Sequence, residues 1–319
     1  MKIDRISAYK YLLYIISYCI VLLYCVYFRL ELKSDNLNYF SIFNNIRNDP
    51  FPFHFEMGVS FLMFIFNILG FDFYTYTFFK LLIFLPVFIK IDYLTFNHKP
   101  ILSLFFLSST LYPPFLDMMI FLSRQSLSIN FLLFFILTYS ERKRIIWFLF
   151  AFLSHLSAFI FIPLIFFREK TFSILTNKFF QIFLFFFLIF GLFYKTISTL
   201  ILEILNNNIE IFPEFVKQNL IMKIGFYDWN SNSDFDGFSY LRLFFIFLIN
   251  LFMILLFNRK VKYSKIQKGL ICIYLYSFLI FVLTIDNYMM AMRSGFFSYF
   301  FCLSWLFVML SFSKKVSLT

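Results

Sequence analysis

The chain has 319 residues, 61% of them hydrophobic and 25% aromatic, with 57 Phe, and only 14% are charged, for a formal net charge of +11. A water-soluble domain carries nearer one quarter charged residues, so this composition excludes a soluble globular enzyme and points to an integral membrane protein. Lys and Arg gather in short clusters between apolar runs, at Glu141-Arg142-Lys143-Arg144, from Arg259 to Lys268 and at Lys314-Lys315. Clusters of that kind orient membrane helices, and no nucleic acid is expected as a partner.

In chain order, Lys2, Arg5 and Lys10 precede an apolar run from Tyr11 to Phe28 that is long enough to span a bilayer. No small-residue cleavage site follows it, so it reads as an uncleaved anchor with a cytoplasmic N-terminus. Further apolar runs fall near 57–71, 76–96, 100–116, 118–139, 145–167, 178–197, 239–257, 266–285 and 294–312. Apolar residues surround these segments instead of forming one stripe, as lipid-facing helices require, and the alternation of a membrane barrel is missing. The expectation is an all-α, polytopic transmembrane helical bundle of about ten spans, forming a single integral membrane domain over 1–319.

The stretches 29–55 and 206–238 read as outward-facing loops, and both termini as cytoplasmic. The middle of the chain allows two layouts. If every run crosses, Glu141–Arg144 lands outside, against the positive-inside bias. If that cluster is inside, then 57–71 and part of 178–205 must be re-entrant or broken. The run 57–71, only about fifteen residues and interrupted by Asn67 and Gly70, favours the second layout. Cys19, Cys25, Cys272 and Cys302 all fall within runs and read as small packing residues, not as a disulfide framework or a metal site. There is no Gly-rich phosphate loop, no H-E-x-x-H and no G-x-S-x-G, and seven Gly leave no place for a nucleotide-cradling loop. No cofactor and no metal are expected, and the substrate is expected to be carried by lipid.

The informative residues are the ionisable ones inside apolar runs. An Arg at mid-span costs roughly 2.5–3.5 kcal/mol on insertion scales, so it needs a partner, a wet cavity or a task. Arg124 is the leading candidate, with Gln125 and Ser128 on about the same third of the helix. Ahead of it Pro113-Pro114 break the preceding helix, and Asp117 lies near that break. A broken helix with an Arg at its restart builds a polar pocket, although an Arg at a helix end can also snorkel to the headgroups. His155, between Ser154 and Ser157, reads as a proton acceptor or hydrogen-bond donor to substrate, or as a neutral packing His. Asp286 and Arg293 share a face if their segment is helical, and either pair with one another or leave Arg293 facing the cavity of Arg124. Arg242, just after Tyr240, carries the same two readings as Arg124. Asp35, Tyr39 and Glu56 are expected outside, near the membrane surface.

The stretch Ser123-Arg124-Gln125-Ser126-Leu127-Ser128, the basic turn after it, and Ala151-Phe152-Leu153-Ser154-His155-Leu156-Ser157-Ala158 resemble the core of the EpsG/Wzy-type polysaccharide polymerases. Asp35-x-x-x-Tyr39 and Glu56-Met57-Gly58 resemble that family's Asp-x-x-x-Tyr and Glu-Pro-Gly elements. Here Met57 stands in place of Pro, and the Gly that usually precedes the Asp is missing. Arg293 with Tyr299 and Phe300 resembles the family's last Arg and its aromatic followers. The resemblance implies a polymerase of lipid-linked oligosaccharide repeats in a bacterial cytoplasmic membrane, similar to type-C glycosyltransferases. The growing glycan on undecaprenyl diphosphate passes to a hydroxyl of the next lipid-linked repeat, outside the membrane. It further implies that Arg124 and Arg293 clamp the diphosphate, for which a guanidinium fork is suited. His155 then orients or deprotonates the acceptor hydroxyl, or binds a sugar. Asp35, Tyr39 and Glu56 line the glycan path, and Gln125, Ser128 and Arg242 assist in binding. The implied partners are the lipid-linked oligosaccharide, membrane lipid, a chain-length regulator and a flippase. Three other readings stay open: an O-antigen ligase, a membrane-bound O-acyltransferase using His155 with Asn130, and a flippase or transporter. The last would favour a two-fold repetition of helices that the sequence does not show.

Overall fold

The computed structural model describes residues 5–30, 35–53, 56–95, 113–193, 197–229, 243–244, 246–248, 263–306 and 308. Every regular element among them is helical, and the chain groups into two compact units, Met1–Phe159 and Ile160–Thr319. The first unit holds α1 (Arg5–Tyr24), extended by a π-helical turn over Cys25–Arg29, then α2 (Asp35–Asn45), α3 (Met57–Ile68), α4 (Phe73–Leu82), α5 (Leu85–Thr95), α6 (Pro113–Phe121), α7 (Ser123–Leu137) and α8 (Glu141–Ser154). A 3-10 helix over Leu156–Phe161 leads into the second unit. There follow α9 (Pro163–Phe166), α10 (Arg168–Leu175), α11 (Lys178–Phe193), α12 (Ile197–Asn207), α13 (Glu214–Trp229), α14 (Lys265–Leu283), α15 (Tyr288–Ser294) and α16 (Phe296–Phe300).

The solvent that selected this chain is legible on α1. Tyr14, Tyr18, Leu22 and Cys25, spaced by three and four, form its buried face. The opposite face, Leu12, Leu13, Ile16, Ile20 and Leu23, is equally apolar and exposed. A helix greasy on its outer face is stable in lipid and not in water.

Helix ends in the first unit have local causes. At the end of α3, Gly70 adopts φ +77°, the left-handed conformation that a Cβ disfavours. That lets the Gly70 N–H reach Asn67 O at 3.1 Å and the Phe71 N–H reach Phe66 O at 3.0 Å, a Schellman closure. Two residues later Asp72 caps α4, its carboxylate accepting the Thr75 N–H at 2.7 Å. Between α7 and α8 only Thr138–Ser140 are non-helical, so the two helices fold back as a hairpin. Trp147 seals it, stacked on Phe134 at 4.7 Å and Phe131 at 5.9 Å. Below these helices Tyr39, Phe43, Phe53, Val59, Met63, Phe73, Tyr76 and Leu127 belong to one buried cluster.

In the second unit α14 is the central helix. It opens with a capping box in which Ser264 and Gln267 bond each other's backbone. Trp305 stacks on Tyr274 at 5.8 Å and donates from Nε1 to Leu270 O at 3.1 Å. The Ser277 hydroxyl accepts the N–H groups of Phe297 and Ser298, fixing the start of α16 against α14.

Among the described residues, Phe73–Asp92 and Lys265–Leu283 are long and apolar enough to cross a membrane, and α10 with the start of α11, bent by 71°, makes a third if taken as one broken span. Several of the apolar runs are divided into shorter helices, and the short helix within 57–71 agrees with the layout in which that run is re-entrant or broken. The run 118–139 is interrupted at Leu122, and 145–167 at His155. The run 57–71 becomes a 12-residue helix, about 18 Å long against a hydrocarbon core of about 30 Å. The runs 100–116 and 239–257 lie largely outside the described residues. The expected loops are also substantially helical. The segment 29–55 contains α2, and within 206–238 α13 covers Glu214–Trp229. Before α13, Glu210 pairs with Lys217 at 2.6 Å, a hydrogen bond that raises the exposed Lys217 ammonium above its ordinary pKa.

Candidate functional site

The site starts from a helix break. Pro113 and Pro114 occupy the first positions of α6, where a missing N–H costs nothing, and the run they are expected to end lies outside the described residues. The break lies at Leu122, whose backbone (φ −99°, ψ 60°) leaves the helical region for one residue before α7 restarts at Ser123. Arg124 is therefore in the first turn of α7, and its side chain is 28% exposed.

Its guanidinium is held on three sides. Nη1 donates to Glu56 Oε2 at 2.6 Å, Nε donates to the Tyr39 hydroxyl at 3.2 Å, and the plane lies 4.5 Å over the Phe53 ring. Nη2 makes no hydrogen bond among the described residues. Glu56 is fully buried, and a carboxylate in that position is stable only if charge-paired and hydrogen-bonded. Its second oxygen, Oε1, accepts the Leu156 N–H at 2.9 Å. Tyr39 is fixed in turn by an edge-to-face contact with Phe53 at 5.7 Å. Residues from α2, the turn before α3, the start of α7 and the end of α8 thus converge on one cation.

The Leu156 N–H is available because α8 stops at His155, whose backbone is extended (φ −160°, ψ 132°). The ring secures that stop: Nδ1 accepts the Ser157 N–H at 3.1 Å and lies 2.7 Å from Ser157 Oγ. A backbone N–H directed at Nδ1 requires its lone pair, which places the proton of the neutral ring on Nε2. Gly58 completes the assembly. A Cβ there would lie 3.1 Å from Ser154 Cα and would meet the Ser154 hydroxyl more closely still, so only Gly lets the start of α3 reach the end of α8.

Family comparison matches EpsG over residues 11–318. The chain belongs to the EpsG family. Comparison with curated proteins and with solved structures returns no match. Membership supports a membrane polymerase of polysaccharide biosynthesis in general terms.

In this EpsG-family chain the structure brings together Tyr39, Glu56 and Arg124, with the backbone next to His155. Tyr39 and Glu56 are buried partners of Arg124. Asp35 stands exposed at the first residue of α2. Gln125 and Ser128 are buried. The Ser128 hydroxyl, one turn beyond Arg124, has no hydrogen-bond partner, and neither has that of Ser60, one turn beyond Glu56. Arg293 lies in the last turn of α15 in the second unit; Asp286 precedes that helix in a turn, so the two do not share one helical face. Arg242 and the Asp117 side chain lie outside the described residues. Asn130, named with His155 in the acyltransferase reading, is buried, and neither of its amide atoms is hydrogen-bonded among the described residues.

One residue escaped the sequence reading. Lys80 on α4 is 1% exposed, and its Nζ donates to Ser123 Oγ at 2.7 Å. Ser123 is the residue before Arg124. The available signal was a single Lys amid Phe78-Phe79 and Leu81-Leu82, as improbable in lipid as Arg124 itself.

Proposed function

We propose that the chain is a polymerase that joins lipid-linked oligosaccharide repeats on the outer side of a bacterial cytoplasmic membrane, crossing it about ten times in the manner of type-C glycosyltransferases. An acceptor hydroxyl of one repeat attacks the anomeric carbon of the growing glycan. The bond from that carbon to undecaprenyl diphosphate breaks, and the hydroxyl proton is released. The observation that carries this reading is Arg124, held through Nε and Nη1 while Nη2 is left to an incoming anion. Negative charge on the diphosphate grows as the glycosidic bond breaks, and a guanidinium fixed in advance stabilises that state without reorganising.

Within this proposal Glu56 and Tyr39 position Arg124, and Asp35, exposed on α2, contacts the glycan. His155 holds the backbone turn that supplies Leu156 N–H to Glu56, and it orients the acceptor. Arg293 contributes to phosphate binding, and Gln125, Ser128 and Arg242 assist in binding. A chain-length regulator and a flippase are the expected partners.

The test is the surface glycan of a deletion strain, run on a gel. Loss of the ladder down to a single repeat supports a polymerase, and Arg124→Ala should reproduce it while the protein still inserts. Normal chain lengths in the Arg124→Ala strain overturn the site. Lipid-linked long chains without surface glycan, or full-length chains lacking only acyl groups, overturn the polymerase.

A further inference from the structure

Lys80 has no use in the site so far. Its ammonium is buried within a helix apolar enough to span a membrane, a placement that demands an anion or a polar partner. Among the described residues its sole hydrogen-bond partner is the neutral Ser123 hydroxyl, and it forms no ion pair. An ammonium has three donors, so two are unused.

Among the described residues the charge placed next to it is mostly positive. Ser123 opens α7, a 15-residue helix whose N-cap Leu122 contributes no capping side chain, so the partial positive end of that helix is not offset locally. Arg124 follows at the next position. Against Lys80, Arg124 and the helix end stands Glu56, itself engaged by Arg124 and the Leu156 N–H. Because Ser123 Oγ accepts from Lys80, its own proton remains available to a further acceptor. Ser123 O–H, two N–H groups of Lys80 and, from the next residue of the helix, Nη2 of Arg124 are then donors with no acceptor among the described residues.

We propose that Lys80 and Ser123 form a second phosphate-binding element beside Arg124, so that the site recognises a diphosphate and discriminates against a monophosphate. Arg124 takes one phosphate, and the Lys80–Ser123 pair takes the other. This inference rests on the lipid-diphosphate reading above and adds which groups of the first unit count the phosphates.

The experiment measures binding of undecaprenyl diphosphate and undecaprenyl monophosphate to the full-length protein in nanodiscs. Lys80→Met should weaken diphosphate binding by about 10- to 100-fold, the range for one lost charge-assisted contact, and monophosphate binding much less. Lys80→Arg should restore most of the preference. Since Lys80→Met removes a buried charge without leaving another one unpaired, the variant should insert and melt no lower than the native protein. If it does not insert, Ser123→Ala decides, with the same loss of preference expected. Native diphosphate-over-monophosphate preference in Lys80→Met or in Ser123→Ala overturns the inference. If Arg124→Ala loses diphosphate binding while Lys80→Met keeps it, the Lys80 assignment alone fails. If the native protein binds neither lipid, the lipid-diphosphate reading fails, and this inference with it.

Discussion

The Glu56–Arg124 pair is the most exacting check on the site, because its energy can be reasoned from burial. Glu56 is fully buried and Arg124 is 28% exposed, with an oxygen–nitrogen distance of 2.6 Å. Removing one member of a buried pair costs about 3–5 kcal/mol, because the other charge is left uncompensated. The partial exposure of Arg124 and its packing over Phe53 place Glu56→Ala near the lower end, at about 3 kcal/mol. Glu56→Gln keeps an oxygen for the Leu156 N–H and loses only the charge, so about 2 kcal/mol is expected. With Arg124→Met as the second arm, a double-mutant cycle should return a coupling of about 1.5–3 kcal/mol. Unfolding in mixed micelles, followed through Trp147 in the α7–α8 hairpin, reports on the correct unit. Additivity of the two variants to within about 0.5 kcal/mol would mean the pair is not formed, and the account of Arg124 as a pre-held guanidinium would be refuted.

Other expectations follow from single contacts. Gly58→Ala should destabilise the first unit by about 1–3 kcal/mol by overpacking against Ser154, measured in the same unfolding assay. Gly70→Ala meets open space but a positive φ, so a smaller loss of about 1–2 kcal/mol is expected, with the glycan ladder unchanged. The nitrogen chemical shifts of His155 should report a neutral ring protonated at Nε2; a proton on Nδ1 would contradict the bond from the Ser157 N–H. Arg293→Ala should shorten the ladder with insertion intact, and an unaltered ladder would remove Arg293 from the mechanism.

What could be read in the sequence divides along physical lines. Membrane class and helical content follow from composition and from the apolar runs. Arg124 could be read because a charge in such a run must be explained. Its partners could not be derived from periodicity: Glu56 and Tyr39 lie 68 and 85 residues away, and only family resemblance drew attention to them. The helix breaks were hidden for different reasons. Leu122 is an ordinary helix former with no Gly or Pro beside it, so its excursion is imposed by tertiary packing. At His155 the break depends on a ring accepting a backbone N–H, a local alternative to the helical bond that polarity profiles do not register. The helices within 206–229 were missed because Asn206-Asn207-Asn208 and Pro213 suggested a loop, whereas the Pro simply precedes a helix start. Lys80 was as visible as Arg124. What distinguishes it is that, among the described residues, no carboxylate pairs with it, which only three dimensions reveal.

The carboxylate of Glu56 also bears on how fast the site can empty. Two bare cations facing a diphosphate would hold the spent lipid carrier long after the sugar had left. Arg124 is instead already partnered, so a departing anion is replaced at once by a contact that never moved away. The guanidinium stays on Glu56 throughout, so the departing anion leaves no unpaired buried charge behind. In the proposed reaction one buried glutamate therefore shortens the stay of the leaving diphosphate without weakening the hold on the guanidinium.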